Sequence, residues 1–434
     1  KEIIVRQKYR KSPLAPKKVN KVSSIQGVEL YTCCANLYDK SRNDVAIFIF
    51  KEKGSIAEVF TQSTMRSCTL DWNEKALRKK EVQAIVINSG NANTYTGKKG
   101  HQSLVKISEL ISNKFYVSKN KIFFASTGVI GEEFPEKKII DAIRKNEIKS
   151  NNWMDAAKAI MTTDTFPKAI SSKTKVDNKV VSITGIAKGS GMIEPNMATM
   201  LGFIFIDLEI SQKILQALLK QLNAKSFNTI SVDGDESTND TVILASSNKI
   251  KLKNKINSIN DKRINSLKIS LHKVFNSLSE QIVRDGEGAT KLIKIKVKKA
   301  KNILQAEKIA RSIANSNLFK TAIYGEDANW GRIIMAIGKT YEKINQSKLK
   351  IHIGDHLVAI HGKVNSKINN SDIRKYLSQK EVEIQIDLTI GNSHADILTC
   401  DLSHTYIDIN ALKDFRLLKE NDLFAMAVNV HRLG

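Results

Sequence analysis

The sequence is short of most features that announce a function. Its four cysteines, Cys33, Cys34, Cys68 and Cys400, show no CxxC spacing, and two of them are adjacent. That fits reduced cytoplasmic thiols better than a disulfide framework or a zinc site. Aromatics are only 6% of the chain, and no basic segment is interleaved with them in the way base stacking needs. No apolar run approaches a membrane span. The eight histidines form no HExxH pair, a GxSxG elbow is absent, and the glycines after Lys188 do not make a P-loop, because the lysine comes first.

What is present is a chain of 434 residues with 41% hydrophobic and 26% charged residues, a globular composition long enough for two or three domains. The formal charge of +25 would attract nucleic acid or acidic metabolites. Its lysines are spread among Ile and Asn, however, so a solvated lysine-rich surface is the simpler reading and nucleic acid an unsupported partner. Residues 1–25, Lys- and Ser-rich with Pro13 and Pro16, read as an extended arm.

The periodicity predicts mixed strands and helices without a regular βαβ beat, hence an α/β (α+β layered sandwich) fold. Asp44–Phe50 and Ile56–Phe60 read as paired strands around a turn at Lys51–Gly54. Apolar runs at 82–88, 121–126, 180–187 and 200–207 read as further strands, as does Thr229–Val232. Helices are expected near 101–113, 135–148, 152–161 and 210–224, and in a segment ending at Arg284. A Lys-rich linker covers 249–263.

Seven polar, Gly-rich loops punctuate these elements, at 88–97, 126–131, 162–168, 188–199, 233–240, 285–290 and 325–332. That many strand-end loops suggests convergence on one site. Asp233-Gly-Asp-Glu-Ser-Thr-Asn-Asp240 resembles a calcium loop but has the wrong ligand spacing, so it reads as a turn or as support for the site, and no metal is expected. Among nucleophiles, Thr199 stands out. It opens a core strand and follows Ala198, whose carbonyl is small and unhindered. A threonine can serve as its own base once the chain is cut before it, because a free α-amine titrates near pH ~8. Taken alone, Thr199 reads better as a β-former after a Gly-rich loop.

The loops taken together resemble ornithine acetyltransferase (glutamate N-acetyltransferase). The resemblance is carried by Asn88-Ser-Gly-Asn-Ala-Asn93, Ser126-Thr-Gly-Val-Ile-Gly131, Met161-Thr-Thr-Asp-Thr165, Ala187-Lys-Gly-Ser-Gly-Met-Ile-Glu-Pro-Asn-Met-Ala-Thr-Met-Leu201, Asp233–Asp240, Asp285-Gly-Glu-Gly-Ala-Thr-Lys291 and Gly325-Glu-Asp-Ala-Asn-Trp-Gly-Arg332. It runs from Ser12 to Ala411. It implies a fold in the style of the N-terminal nucleophile enzymes with a smaller mixed C-terminal domain. It also implies self-cleavage between Ala198 and Thr199 into an α chain (1–198) and a β chain (199–434), with about 199–300 completing the catalytic domain and about 301–434 forming the C-terminal one.

The reaction it implies is acetyl transfer from N2-acetyl-L-ornithine to L-glutamate through acetyl-Thr199, in arginine biosynthesis. No cofactor is implied, and acetyl-CoA is a candidate second donor. Thr127 and Gly128 match the family's oxyanion-hole positions, while Thr165, Lys188, Thr199, Glu287 and Asn410 match its substrate-binding positions. A cytoplasmic heterotetramer of two α and two β chains is the implied assembly. One departure stands out: after Asn410 the chain continues as Ala-Leu-Lys-Asp-Phe415 to Gly434, with no hydroxyl where the family usually ends in a threonine. Two other readings stay open, an amidase or aminopeptidase using the same processed Thr199, and a catalytically impaired basic binding protein.

Overall fold

A computed structural model describes residues 11–18, 22–38, 41–145, 149–150, 152–194 and 200–411. The arm at 1–25 therefore lies partly outside the described residues, and the tail from 412 lies wholly outside them. The chain divides into two compact units, one of Ala15–Gly286 with Ala395–Thr399, the other of Lys1–Leu14, Glu287–His394 and Cys400–Gly434.

The larger unit contains β1 (Val28–Cys33), β2 (Val45–Phe60), α1 (Cys68–Leu77), β3 (Glu81–Asn91), α2 (Gly97–Phe115), β4 (Ile122–Val129), α3 (Glu136–Lys145), β5 (Lys149–Ser150), α4 (Trp153–Ala159), β6 (Lys168–Val176), β7 (Lys179–Lys188), β8 (Leu201–Leu208), α5 (Gln212–Ala224), β9 (Thr241–Ile250) and α6 (Asn265–Arg284). Its sheet runs in the order β4-β3-β2-β9-β8-β7-β6, with β1 added to β2 and β5 to β1. The pairs β3–β4 and β8–β9 are parallel.

The turn expected at Lys51–Gly54 does not form, because β2 is one strand of sixteen residues. Each half has its own neighbour along one edge, β1 beside residues 45–50 and β9 beside 55–60. The polar residues between them are a bulge, where the pairing with β3 slips between Ile49 and Gly54. Only glycine fits at 54, since a Cβ there would stand 2.5 Å from the Ser246 carbonyl oxygen and 2.7 Å from the Phe50 ring. Thr229–Val232 also differs from expectation: a 3₁₀ turn at Phe227–Thr229 leads into a single bridge at Ile230. These apolar residues are buried by packing rather than by a ladder.

Alternation along β2 loads both faces of the sheet. Phe48 and Phe50 join a core with Trp153 of α4 and with Phe203 and Phe205 of β8. The Phe48 ring lies 4.6 Å from that of Phe205 and 5.2 Å from that of Trp153. On the other face, Val45, Ile47 and Ile49 meet Leu104, Ile107 and Ile111 of α2 and Ile139 and Ile143 of α3. Helical spacing of those residues gives each helix one apolar stripe, and α6 lies across β6 and β7. The outcome is the layered, mixed α/β architecture expected from the pattern.

The smaller unit holds β10 (Leu292–Ala300), α7 (Ile303–Ala314), α8 (Asn317–Tyr324), α9 (Trp330–Gly338), β11 (Lys350–Ile353), β12 (His356–Ile360), β13 (Lys363–Val364), α10 (Asn370–Leu377), β14 (Glu381–Asp387) and α11 (His404–Ala411). Its sheet is ordered β13-β12-β11-β14-β10, and β15 (Ser393–Cys400) pairs beyond β10. Among the described residues no helix is long and apolar enough to cross a membrane.

Candidate active site

The ends of β3 and β4 come together because the two strands are parallel. Their register sets Asn88 beside Ser126, Ser89 beside Thr127 and Gly90 beside Gly128. Ser126 donates from Oγ to Asn88 Oδ1 at 2.6 Å. Gly128 has φ +134°, and a Cβ there would collide with the Gly90 carbonyl carbon and stand 2.5 Å from Asn91 N. The Thr127–Gly128 peptide is thus fixed in a shape that a side chain at 128 would destroy.

The acidic loop at 233–240 supports this corner. Asn239 Nδ2 donates to the carbonyls of Ala92, at 2.6 Å, and Ser126, at 2.8 Å. Its Oδ1 accepts from Thr94 Oγ1 at 2.7 Å. The Asp233 carboxylate accepts the Met192 and Ile193 N–H groups at 2.7 and 2.9 Å, so it shapes the loop that leads toward Thr199.

Lys188 ends β7 and is buried. Its Nζ donates to Thr127 Oγ1 at 3.1 Å, so two residues far apart in the chain meet. The next N–H, of Gly189, donates to Asp164 Oδ1 at 2.8 Å. Thr165 donates from N to Asp285 Oδ2 at 2.9 Å and from Oγ1 to Asp285 Oδ1. Asp285 caps α6, and Lys168 opens β6 between the two acids, 2.6 Å from each.

Burial pushes the Asp164 carboxyl up, but the ammonium groups of Lys168 and Lys188 outweigh it and hold Asp164 below the usual carboxylate range. Asp285 goes the other way, raised by burial and by the neighbouring Asp164 against the pull of Lys168. Lys168 itself is raised, the two acids overcoming its burial. Asp240, also near Lys188, is raised well above its ordinary value by burial.

Five of the expected loops are therefore linked within the larger unit, and Asp285 joins them. Two further residues singled out by the sequence meet within the smaller unit. Asn410 on α11 donates from Nδ2 to Glu287 Oε2 at 2.6 Å. The same loop is held by Ser403 Oγ, which donates to Gly288 O at 2.6 Å, and by Asp401, which accepts the N–H groups of Thr290 and Lys291 at 2.8 and 2.9 Å. Lys291 Nζ reaches Glu326 Oε1 of the 325–332 stretch at 3.2 Å.

Ala198 and Thr199 lie outside the described residues. Met200, the next residue, is buried, and its carbonyl accepts from Thr241 N at 2.8 Å just before β8 begins. Among the described residues no group of three or more His, Cys, Asp or Glu side chains could hold a metal ion. Sequence reasoning assigned no role to Asp164, Lys168 or Asp285. All three fall in or beside the recognised motifs, which was the one available signal.

The ArgJ family model matches residues 29–414. The arginine biosynthesis bifunctional protein ArgJ of Zymomonas mobilis is 40% identical over 410 residues, covering 93% of this chain and 98% of that protein. The protein of the same name from Mesorhizobium japonicum is 40% identical over 409 residues, with the same coverage of 93% and 98%. Among solved structures, an arginine biosynthesis bifunctional protein from Bacillus halodurans is similar at 38% identity with a TM-score of 0.46, over 49% of this chain and 99% of that one.

Proposed function

We propose that this chain, which belongs to the ArgJ family and is an acyltransferase of arginine biosynthesis, moves the acetyl group of N2-acetyl-L-ornithine onto L-glutamate through an acetyl-threonine at Thr199. The observation that carries the reading is the Lys188–Thr127 contact at 3.1 Å. Because Thr127 Oγ1 accepts from Lys188, its own proton is available to an oxyanion, and the Gly128 N–H beside it supplies a second donor.

The steps follow from that arrangement. Thr199 Oγ attacks the acetyl carbonyl while the Thr199 α-amine takes the hydroxyl proton. Thr127 and Gly128 stabilise the tetrahedral oxyanion. Collapse expels the ornithine α-amine, which takes the proton back, and leaves an acetyl ester on Thr199. The α-amine of glutamate then attacks that ester by the same route in reverse. We assign Thr165, Lys188, Glu287 and Asn410 to substrate binding, the cation suiting a substrate carboxylate and the anion a substrate ammonium.

The α-amine at Thr199 exists only after the Ala198–Thr199 bond is cut. In that step Thr199 Oγ attacks the Ala198 carbonyl, the acyl group shifts from N to O, and water hydrolyses the ester. The products are chains 1–198 and 199–434, which we assign to a cytoplasmic heterotetramer of two of each. Acetyl-CoA is a second donor to be tested by acetylating glutamate without N-acetylornithine.

Purified protein should give two bands on a denaturing gel and Thr199→Ala one. Two bands from the variant would overturn the assignment of Thr199. Incubating the processed protein with N-acetylornithine, with and without glutamate, separates transfer from the simple hydrolysis an amidase would show.

A further inference from the structure

Three buried charges behind the loops take no part in the reaction above. The Lys168 ammonium has three protons and an acceptor for each: Asp164 Oδ1 at 2.6 Å, Asp285 Oδ2 at 2.6 Å and the Phe166 carbonyl at 3.3 Å. The side chains of all three charged residues are fully buried. Burying an ion pair seldom gains stability over an apolar replacement, so stability alone is a weak reason for this arrangement.

The two carboxylates each hold a different part of the site. Asp164 accepts the Gly189 N–H at 2.8 Å and the Thr162 N–H at 2.9 Å, fixing the turn that follows Lys188. Asp285 accepts the Thr165 N–H at 2.9 Å and the Thr165 hydroxyl proton. Lys168 thus ties the carboxylate that holds Thr165 to the carboxylate that holds Gly189. Lys188 also lies close enough to act on the Asp164 carboxylate, so the two lysines and two acids sum to no net charge.

We propose that the Asp164–Lys168–Asp285 bridge is a positioning device for acetyl transfer, in which Asp285 fixes Thr165 as a hydrogen-bond acceptor toward the substrate. A hydroxyl whose one proton is committed to a carboxylate can offer a further partner only its lone pairs. The group that meets Thr165 is therefore an N–H, the amide of an N-acyl amino acid or the ammonium of the acceptor, and an O-acyl substrate lacks it. This inference rests on the assignment of Thr165 to substrate binding.

The test uses the full-length protein. Asp285→Asn keeps the size of the side chain but introduces an amide that can donate to Thr165 Oγ1, releasing the hydroxyl proton. KM for N-acetylornithine is expected to rise by roughly tenfold, the worth of one hydrogen bond, with kcat moving less. Thr165→Val should do the same, and the double variant should be no worse than Thr165→Val alone, because both changes remove one interaction. An unchanged KM in Asp285→Asn, or effects that multiply in the double variant, would overturn the proposal.

Self-cleavage into two bands and the thermal midpoint report whether each variant has folded. Should Asp285→Asn not fold, the charge-balanced Lys168→Met/Asp285→Asn variant is compared with Thr165→Val in its place. Wild-type protein that transfers no acetyl group overturns the proposed reaction. Active wild-type protein with an unaffected Asp285→Asn overturns only the role of the bridge.

Discussion

Glu58 is a buried acid that the proposed chemistry does not use. It sits on β2, accepts from Asn73 Nδ2 at 2.8 Å through Oε1, and has no partner for Oε2. Burial pushes its carboxyl up from 4.5 to about 8, the Asn73 bond offsetting only part of this. The folded state therefore holds a proton that the unfolded chain releases above pH ~4.5. Stability from this residue is full below that pH and drains away as pH rises toward 8. Glu58→Gln should be near neutral at pH 5 and stabilising by up to about 4 kcal/mol at pH 8.5, read from urea midpoints at the two values. Gly128→Ala is the opposite case, a change with nowhere to go. The added methyl must push β3 and β4 apart, costing roughly 1–3 kcal/mol, and should lower kcat by on the order of 10²-fold by displacing an oxyanion donor. Residues such as Gly128, Thr127 and Lys188 were legible because they sit in dense motifs. Glu58 was not, since a lone Glu in an apolar strand has the same signature whether it faces water or the core.

At the level of elements, strands with continuous apolar runs were the easiest to read. Val82–Asn88 appears in the structure inside β3, and the strand expected at 200–207 is β8 at Leu201–Leu208, because sheets covered on both faces need unbroken hydrophobic runs. β6 escaped notice because Lys168, Ser171, Ser172, Lys173 and Lys175 dilute the pattern, and one of those lysines is buried only because two acids, one of them 117 residues away, neutralise it. No local window carries that information. The halves of β2 were placed correctly but joined wrongly: a Lys-Glu-Lys-Gly stretch looks the same in a turn and in a bulge, and only the switch of neighbours from β1 to β9 distinguishes them. The Lys168 bridge also has a measurable cost of disruption. Lys168→Met alone leaves two buried carboxylates facing each other and should destabilise by about 3–5 kcal/mol, whereas the charge-balanced double variant with Asp285→Asn should recover most of that. Thermal or urea midpoints of the two proteins decide it.

For the whole molecule, the order β4-β3-β2-β9-β8-β7-β6 matters more than any single contact. A cut between residues 198 and 199 assigns β1 to β7 to the first chain and β8 onward to the second. The second chain's β8 and β9 are then flanked on one side by β2 and on the other by β7, both from the first chain, through the registers Lys188 with Leu201 and Phe60 with Thr241. The two fragments should therefore co-elute on gel filtration in native buffer and separate only in denaturant. A free 198-residue fragment eluting later than the complex would contradict the assignment.

That wedge of two strands would also make the proposed cleavage a step in one direction. The uncut precursor, as in Thr199→Ala, regains its sheet by a reaction within one chain, at a rate independent of concentration. The processed protein, once unfolded, must find a second molecule before either fragment can complete the sheet, so its recovery should slow with dilution. Cleavage would then exchange an enzyme that can repair itself for one that works but cannot be reset. Its lifetime in the cell would be set by how rarely the sheet opens, rather than by how readily it refolds.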